Sequence, residues 1–129
     1  MYTSSGIITS KQDQKNGWFF LQCDEAIGEY YKWLYSRAGF SWNSCLNGVH
    51  ITFIAGEKDS RLITIQDMKN YLGLSIGFEY SGVIYTNSRA FWTPVTCKAL
   101  QEIRISLGLP IHDRLHLTLG NIKHLENNR

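Results

Sequence analysis

Proline is scarce in this 129-residue chain, at two residues, and charge is thin, at 19% Asp, Glu, Lys and Arg. That is below the quarter or so usual in globular domains, which excludes a disordered acidic or basic tail protein. Net charge is only +2. Such a balance is too weak for non-specific duplex binding by counterion release, but it suits a small anionic ligand held by a few residues. No apolar run approaches the roughly 20 residues of a membrane span. The start, Met-Tyr-Thr-Ser-Ser, lacks a charged segment followed by an apolar stretch, and no Asn-x-Ser/Thr sequon occurs. Cysteines are three, Cys23, Cys45 and Cys97, with no CxxC pair. Neither a zinc ribbon nor a disulfide framework is indicated, so the expectation is reduced thiols in a cytoplasmic protein. Gly73, Gly77 and Gly82 match neither GxGxxG nor a P-loop. A Ser-centred nucleophile elbow and paired carboxylates are missing as well.

What remains is a chain 43% hydrophobic and 13% aromatic, long enough for one domain over 1–129 with a sizeable core. The first dozen residues are polar and read as a flexible arm or short edge strand. Gly17 to Cys23 is an aromatic run of strand length. Asp24 caps an expected helix to about Arg37, with Ile27, Tyr30, Tyr31, Leu34 and Ala38 on its buried face. Val49–Ile54 reads as a strand, Gln66–Leu72 as a short helix, and Ser75–Tyr80, Gly82–Tyr85 and Ala90–Val95 as further strands. Thr96 is the expected cap of a helix over Cys97–Leu107, which Gly108 and Pro110 terminate. Arg114–Gly120 is a last strand before a polar tail. No internal repeat or linker divides the chain, and the order of elements describes one α+β domain.

Two of the four histidines begin matching tripeptides, His50-Ile51-Thr52 and His116-Leu117-Thr118. Residues i and i+2 of a strand share a face, so each motif aims an imidazole and a hydroxyl in one direction while Ile51 or Leu117 points into the packing. Adjacent, the two strands would converge two imidazoles and two hydroxyls on one pocket. That set suits attack on a phosphodiester. One imidazole takes a proton from the nucleophile, and the other gives one to the departing oxygen. The hydroxyls donate to the non-bridging oxygens, where charge builds up. No metal or cofactor is required by this scheme. His112 and His116 are four apart, but Pro110 and the following strand argue against a helical metal pair there.

Two His-x-Thr strands some 60 residues apart resemble the 2H phosphoesterase superfamily. The segments GWFFLQCDEAIGEYYKWL, GVHITFIAGEK, FWTPVTCKALQEIRISLGLP and RLHLTLGN resemble its phage branch, the anti-CBASS protein 1 family, over most of residues 17–121. The resemblance implies a bilobed α+β fold, with two small antiparallel sheets flanked by helices and one His-x-Thr strand per lobe. It implies metal-independent cleavage of 3′–5′ bonds in the cyclic di- and trinucleotides that serve bacterial hosts as antiphage signals, in the host cytoplasm if the protein is phage-encoded. His50, Thr52, His116 and Thr118 match the family's catalytic motif. In the implied mechanism a ribose 2′-OH or water attacks phosphorus and the 5′-oxygen leaves. Family members continue further beyond the second motif, whereas this chain ends eleven residues after Thr118. This departure puts in doubt the base-recognition residues that the family takes from that tail, and a partner subunit in a homo-oligomer is one expected source of them.

Tyr80, Trp92, Trp42 and Tyr85 are candidates for stacking on a nucleobase, as aromatics do in single-strand binders. Trp18, Trp33, Phe19 and Phe20 are expected in the core. Lys11, Lys15, Lys123 and Arg114 are candidates for a second phosphate of the ligand, Arg114 and Lys123 being favoured because they flank the second motif strand. Arg104 is expected in a structural salt bridge with Glu102 or Asp113. The competing readings are a 2H enzyme opening 2′,3′- or 1″,2″-cyclic phosphates at RNA ends, and a binding module that sequesters cyclic nucleotides uncleaved.

Overall fold

A computed structural model describes residues 1–10, 17–40, 42–45, 47–56 and 62–122. The elements among them run β1 (Tyr2–Ser10), β2 (Trp18–Cys23), α1 (Glu25–Ser36), β3 (Trp42–Asn43), β4 (His50–Ala55), β5 (Ser75–Tyr80), β6 (Tyr85–Thr86), β7 (Ala90–Thr96), α2 (Lys98–Ser106) and β8 (His116–Ile122). Six strands close into an antiparallel barrel in the order β1–β2–β4–β8–β7–β5 and back to β1, with β3 added on β8 and β6 on β7.

This corrects the expected bilobed α+β fold with two separate sheets: the described chain is mostly β, with two short helices. Two pairings overturn the expectation. The first is β1, which is neither an arm nor an edge. Its Gly6 pairs with Cys23 on one side and Ile76 on the other, so β1 welds the β2–β4 half to the β5–β7 half. Only Gly6 and Ile8 of this strand are buried, and a strand with one solvated face reads as polar sequence. The second is β8, which pairs with β7 along most of its length and with β4 at His50↔Thr118, closing the ring.

The core fills the barrel and the space under the helices. Ile8, Leu21, Ile51, Phe53, Leu100 and Leu117 are at most 1% exposed. Asp24 caps α1 as expected, accepting from the Ala26 amide at 2.9 Å. The buried face of α1 is centred differently from the expectation, on Gly28 and Tyr31 with Ile27 and Tyr35 partly buried, while Tyr30 and Leu34 are exposed. Gly28 is the reason: a Cβ there would meet Val49 Cγ2 at 2.6 Å, so the helix approaches the barrel through a residue with no apolar side chain to betray it. Trp33 is likewise exposed rather than core, with the Arg37 guanidinium 5.3 Å from its ring centre. The expected helix at Gln66–Leu72 is a run of turns, opened by reciprocal Thr64 and Asp67 hydrogen bonds and anchored by fully buried Met68. The cap of α2 is Cys97, without a side-chain bond, because Thr96 still belongs to β7.

Candidate functional site

The strands β4 and β8 meet at a single registered pair, His50 opposite Thr118. Partners across an antiparallel pair share a face, as do residues i and i+2, so His50, Thr52, His116 and Thr118 all project from the outer face of the barrel. The intervening Ile51 and Leu117 are fully buried on the inner face. His50 and His116 are diagonal neighbours across that pair, their backbones roughly 7–8 Å apart by sheet geometry.

The two motifs have the same surroundings. Phe20 of β2 stands opposite Thr52, and Trp92 of β7 opposite Thr118. Each aromatic packs on the motif's imidazole, Phe20 edge-on to His50 at 5.6 Å and Trp92 to His116 at 5.9 Å. Immediately after each threonine the strand carries one extra residue. The β2–β4 ladder steps from Phe20↔Thr52 to Phe19↔Ile54, leaving Phe53, and the β7–β8 ladder steps from Trp92↔Thr118 to Phe91↔Gly120, leaving Leu119. Both extra side chains are buried, and such bulges bend a strand and re-aim its side chains. The Phe53 carbonyl accepts a hydrogen bond from Arg104 at 2.6 Å.

The ring nitrogens are held alike too. Nδ1 of His50 lies 2.7 Å from the Gly48 carbonyl, and Nδ1 of His116 lies 3.0 Å from the Arg114 carbonyl, each two residues upstream. A carbonyl only accepts, so both Nδ1 atoms carry the hydrogen, and in the neutral ring Nε2 is the basic nitrogen. The bond survives protonation of Nε2, so either imidazole keeps its orientation as base and as acid. Gly48 can hold this carbonyl in place because of its backbone. Its φ is +68°, and a Cβ there would collide with the Glu25 carboxylate, which accepts from the Val49 amide at 2.9 Å.

A cleft of about 720 Å³ opens over the β7–β8 half, within the usual range for small-molecule sites. His116, Thr118, Trp92 and Arg114 line it together. His50 and Thr52 stand beside it on β4 and are not among its lining residues. Tyr85 joins Trp92 in the cleft, their rings stacked at 6.4 Å and 24°. Tyr80 lies elsewhere, stacked on Tyr2 at 5.4 Å, and burial and the neighbouring tyrosine push its hydroxyl pKa up. Trp42 is 2% exposed and packs on Phe91 inside the fold, so it offers no platform. Lys11, Lys15 and Lys123 lie outside the described residues. Arg104 is 3% exposed and donates to the Pro110 and Phe53 carbonyls, a structural role fulfilled through backbone partners. Burial raises the pKa of all three thiols, Cys23 to about 12 and Cys45 to about 11, so they are poor nucleophiles.

His112, whose sequence context carries no motif, also lines the cleft. Its four-residue spacing from His116 is not that of a helical pair: a turn at Asp113 and Arg114 separates the two and brings His112 to the cleft. Searched against protein-family models, curated proteins and solved structures, the chain finds no match. No helix among the described residues is long and apolar enough to cross a membrane.

Proposed function

We propose that this protein is a phosphodiesterase that opens 3′–5′ bonds of cyclic di- or trinucleotide signals without a metal ion. The observation that carries the reading is the in-register pair His50↔Thr118, which puts two equally oriented imidazoles and two hydroxyls on one face. One neutral Nε2 takes the proton of a ribose 2′-OH or a water as its oxygen bonds to phosphorus. The other imidazole, protonated, gives its Nε2 proton to the 5′-oxygen as the phosphorus–oxygen bond breaks. Thr52 and Thr118 donate to the non-bridging oxygens as their charge grows. Trp92 and Tyr85 offer a base-stacking surface beside the reacting phosphate, and Arg114 adds positive charge to the cleft. The barrel is not the bilobed arrangement of the family resemblance, so the proposal stands on the motif and its geometry. An anti-CBASS role in the host cytoplasm follows from the resemblance and belongs to the same proposal.

The test is incubation of purified protein in excess chelator with a panel of cyclic di- and trinucleotides and with a 2′,3′-cyclic mononucleotide, followed by chromatography. Linear product from the cyclic oligonucleotides, lost in His50→Ala and His116→Ala, is expected. Ligand recovered intact, or full activity in either variant, would overturn the reading; preferential turnover of the mononucleotide would transfer it to RNA-end chemistry.

A further inference from the structure

The Gly48 carbonyl and the Val49 N–H belong to one peptide group, and both of its ends are engaged. The carbonyl accepts from His50 Nδ1 at 2.7 Å. The N–H donates to Glu25 Oε2 at 2.9 Å. A carboxylate and a motif imidazole therefore sit at the two ends of a single amide, in the order Glu25 Oε2···H–N–C=O···H–Nδ1 His50.

The fold brings them there by a short route. Gln22 stands opposite His50 in the β2–β4 ladder, and Glu25 opens α1 three residues later, over the start of β4. Gln22 Nε2 donates to Glu25 Oε2 at 3.4 Å and to the Val49 carbonyl at 3.3 Å. The Cys23 amide donates to that same carbonyl at 2.9 Å, and the Gly48 amide to the Cys45 carbonyl at 3.0 Å. Gly48 has no Cβ to keep the carboxylate away from its backbone. Val49 is 2% exposed, so its amide hydrogen needs an acceptor within the fold. Any neutral oxygen would meet that need. A carboxylate does more, because bonds to an ionised acceptor are stronger and bonds in series polarise one another. Nor is Glu25 required as the helix cap, since Asp24 already accepts from the Ala26 amide.

We infer that Glu25 is a positioning residue for His50, acting through the Gly48–Val49 peptide. Its negative charge draws the amide hydrogen, shifts electron density onto the Gly48 oxygen and tightens that oxygen's hold on Nδ1–H. The hold strengthens again when Nε2 takes up a proton and the ring becomes a cation. A directly bonded Asp plays this part in a Ser-His-Asp triad; here one peptide group is interposed. The role rests on the phosphodiesterase reading for its chemistry, whereas the chain of hydrogen bonds is independent of it.

Imidazole nitrogen NMR and turnover of cyclic di-AMP are measured on the wild type, Glu25→Gln, Glu25→Ala and Asp24→Ala, with melting temperatures as a check on folding. His50→Ala assigns the His50 signals. Asp24→Ala removes the cap of α1 but leaves the peptide its carboxylate, so it controls for damage to the start of the helix. The His50 signals should shift in Glu25→Ala, less in Glu25→Gln, which keeps an oxygen acceptor without the charge, and not in Asp24→Ala. The His116 signals should stay in place throughout. Turnover should fall in the same order, with kcat roughly 5- to 10-fold lower in Glu25→Ala and KM unchanged. Unmoved His50 signals in Glu25→Ala, an equal shift in Asp24→Ala, or wild-type kcat in Glu25→Ala would overturn the positioning role. The NMR pattern without turnover of any cyclic nucleotide by the wild type would sink the phosphodiesterase reading and leave the relay standing.

Discussion

Gly48→Ala isolates how the backbone before β4 aims His50. The φ of +68° costs an alanine about 1–2 kcal/mol. The new Cβ also displaces the Glu25 carboxylate, which loses its bond to the Val49 amide; at an exposed residue that adds about 1 kcal/mol. The sum, about 2–3 kcal/mol, corresponds to a melting temperature lower by roughly 6–12 °C in a domain of this size. Gly39→Ala is the control. It has φ +90° with nothing within 4 Å of the added carbon, so it bears the backbone term alone. Thermal unfolding gives the stability difference, and imidazole nitrogen NMR reports whether His50 Nδ1 keeps its hydrogen bond to the residue 48 carbonyl. Equal destabilisation at positions 39 and 48, with the His50 signals unmoved, would refute the reasoning.

Two further perturbations test the fold around the site. Replacing Arg104 by Met strips the Phe53 and Pro110 carbonyls of their buried donor and should destabilise by about 2–5 kcal/mol in denaturant titration; Lys should not rescue, because one ammonium cannot reproduce the guanidinium fork. The raised thiol pKa values predict alkaline sensitivity. A folded pKa above the unfolded value contributes stability that is fully present below about pH 9 and lost as pH rises toward 12 for Cys23. Tyr31 and Tyr80, also raised, act in the same direction. Melting temperature should therefore fall steadily above pH 9, and less steeply in Cys23→Ala. At pH 8 native Cys45, at about 11, should alkylate about 100-fold more slowly than an unperturbed thiol near 9.0; a rate equal to that of the unfolded chain would contradict its burial.

The parts of the site legible in the sequence were those with a local signature. Alternation placed Ile51 and Leu117 inward and the motif side chains together outward, and Asp24 announced α1. Barrel closure has no local signature, because β1 looks like an arm until its two partners are known, and the single pairing of β4 with β8 joins residues 68 apart. The bulges at Phe53 and Leu119 are invisible for a related reason: an extra residue is defined only against the partner strand. Gly28 hid the buried face of α1, since a helix that docks through a glycine breaks the apolar stripe. His112 has no local signature either: its spacing to His116 suggests only a helical pair, and the turn at Asp113 and Arg114 that carries it to the cleft is not marked in the sequence.

The central claim is that His50 and His116 act as a unit on one phosphate, and a double-mutant cycle tests it most directly. Turnover of cyclic di-AMP is measured in the wild type, His50→Ala, His116→Ala and the double variant, in chelator. If the two rings serve one reaction as acid and base, each single substitution removes nearly all turnover and the double variant is little worse than either. Losses that multiply in the double variant, or a single variant retaining wild-type turnover, would contradict the account.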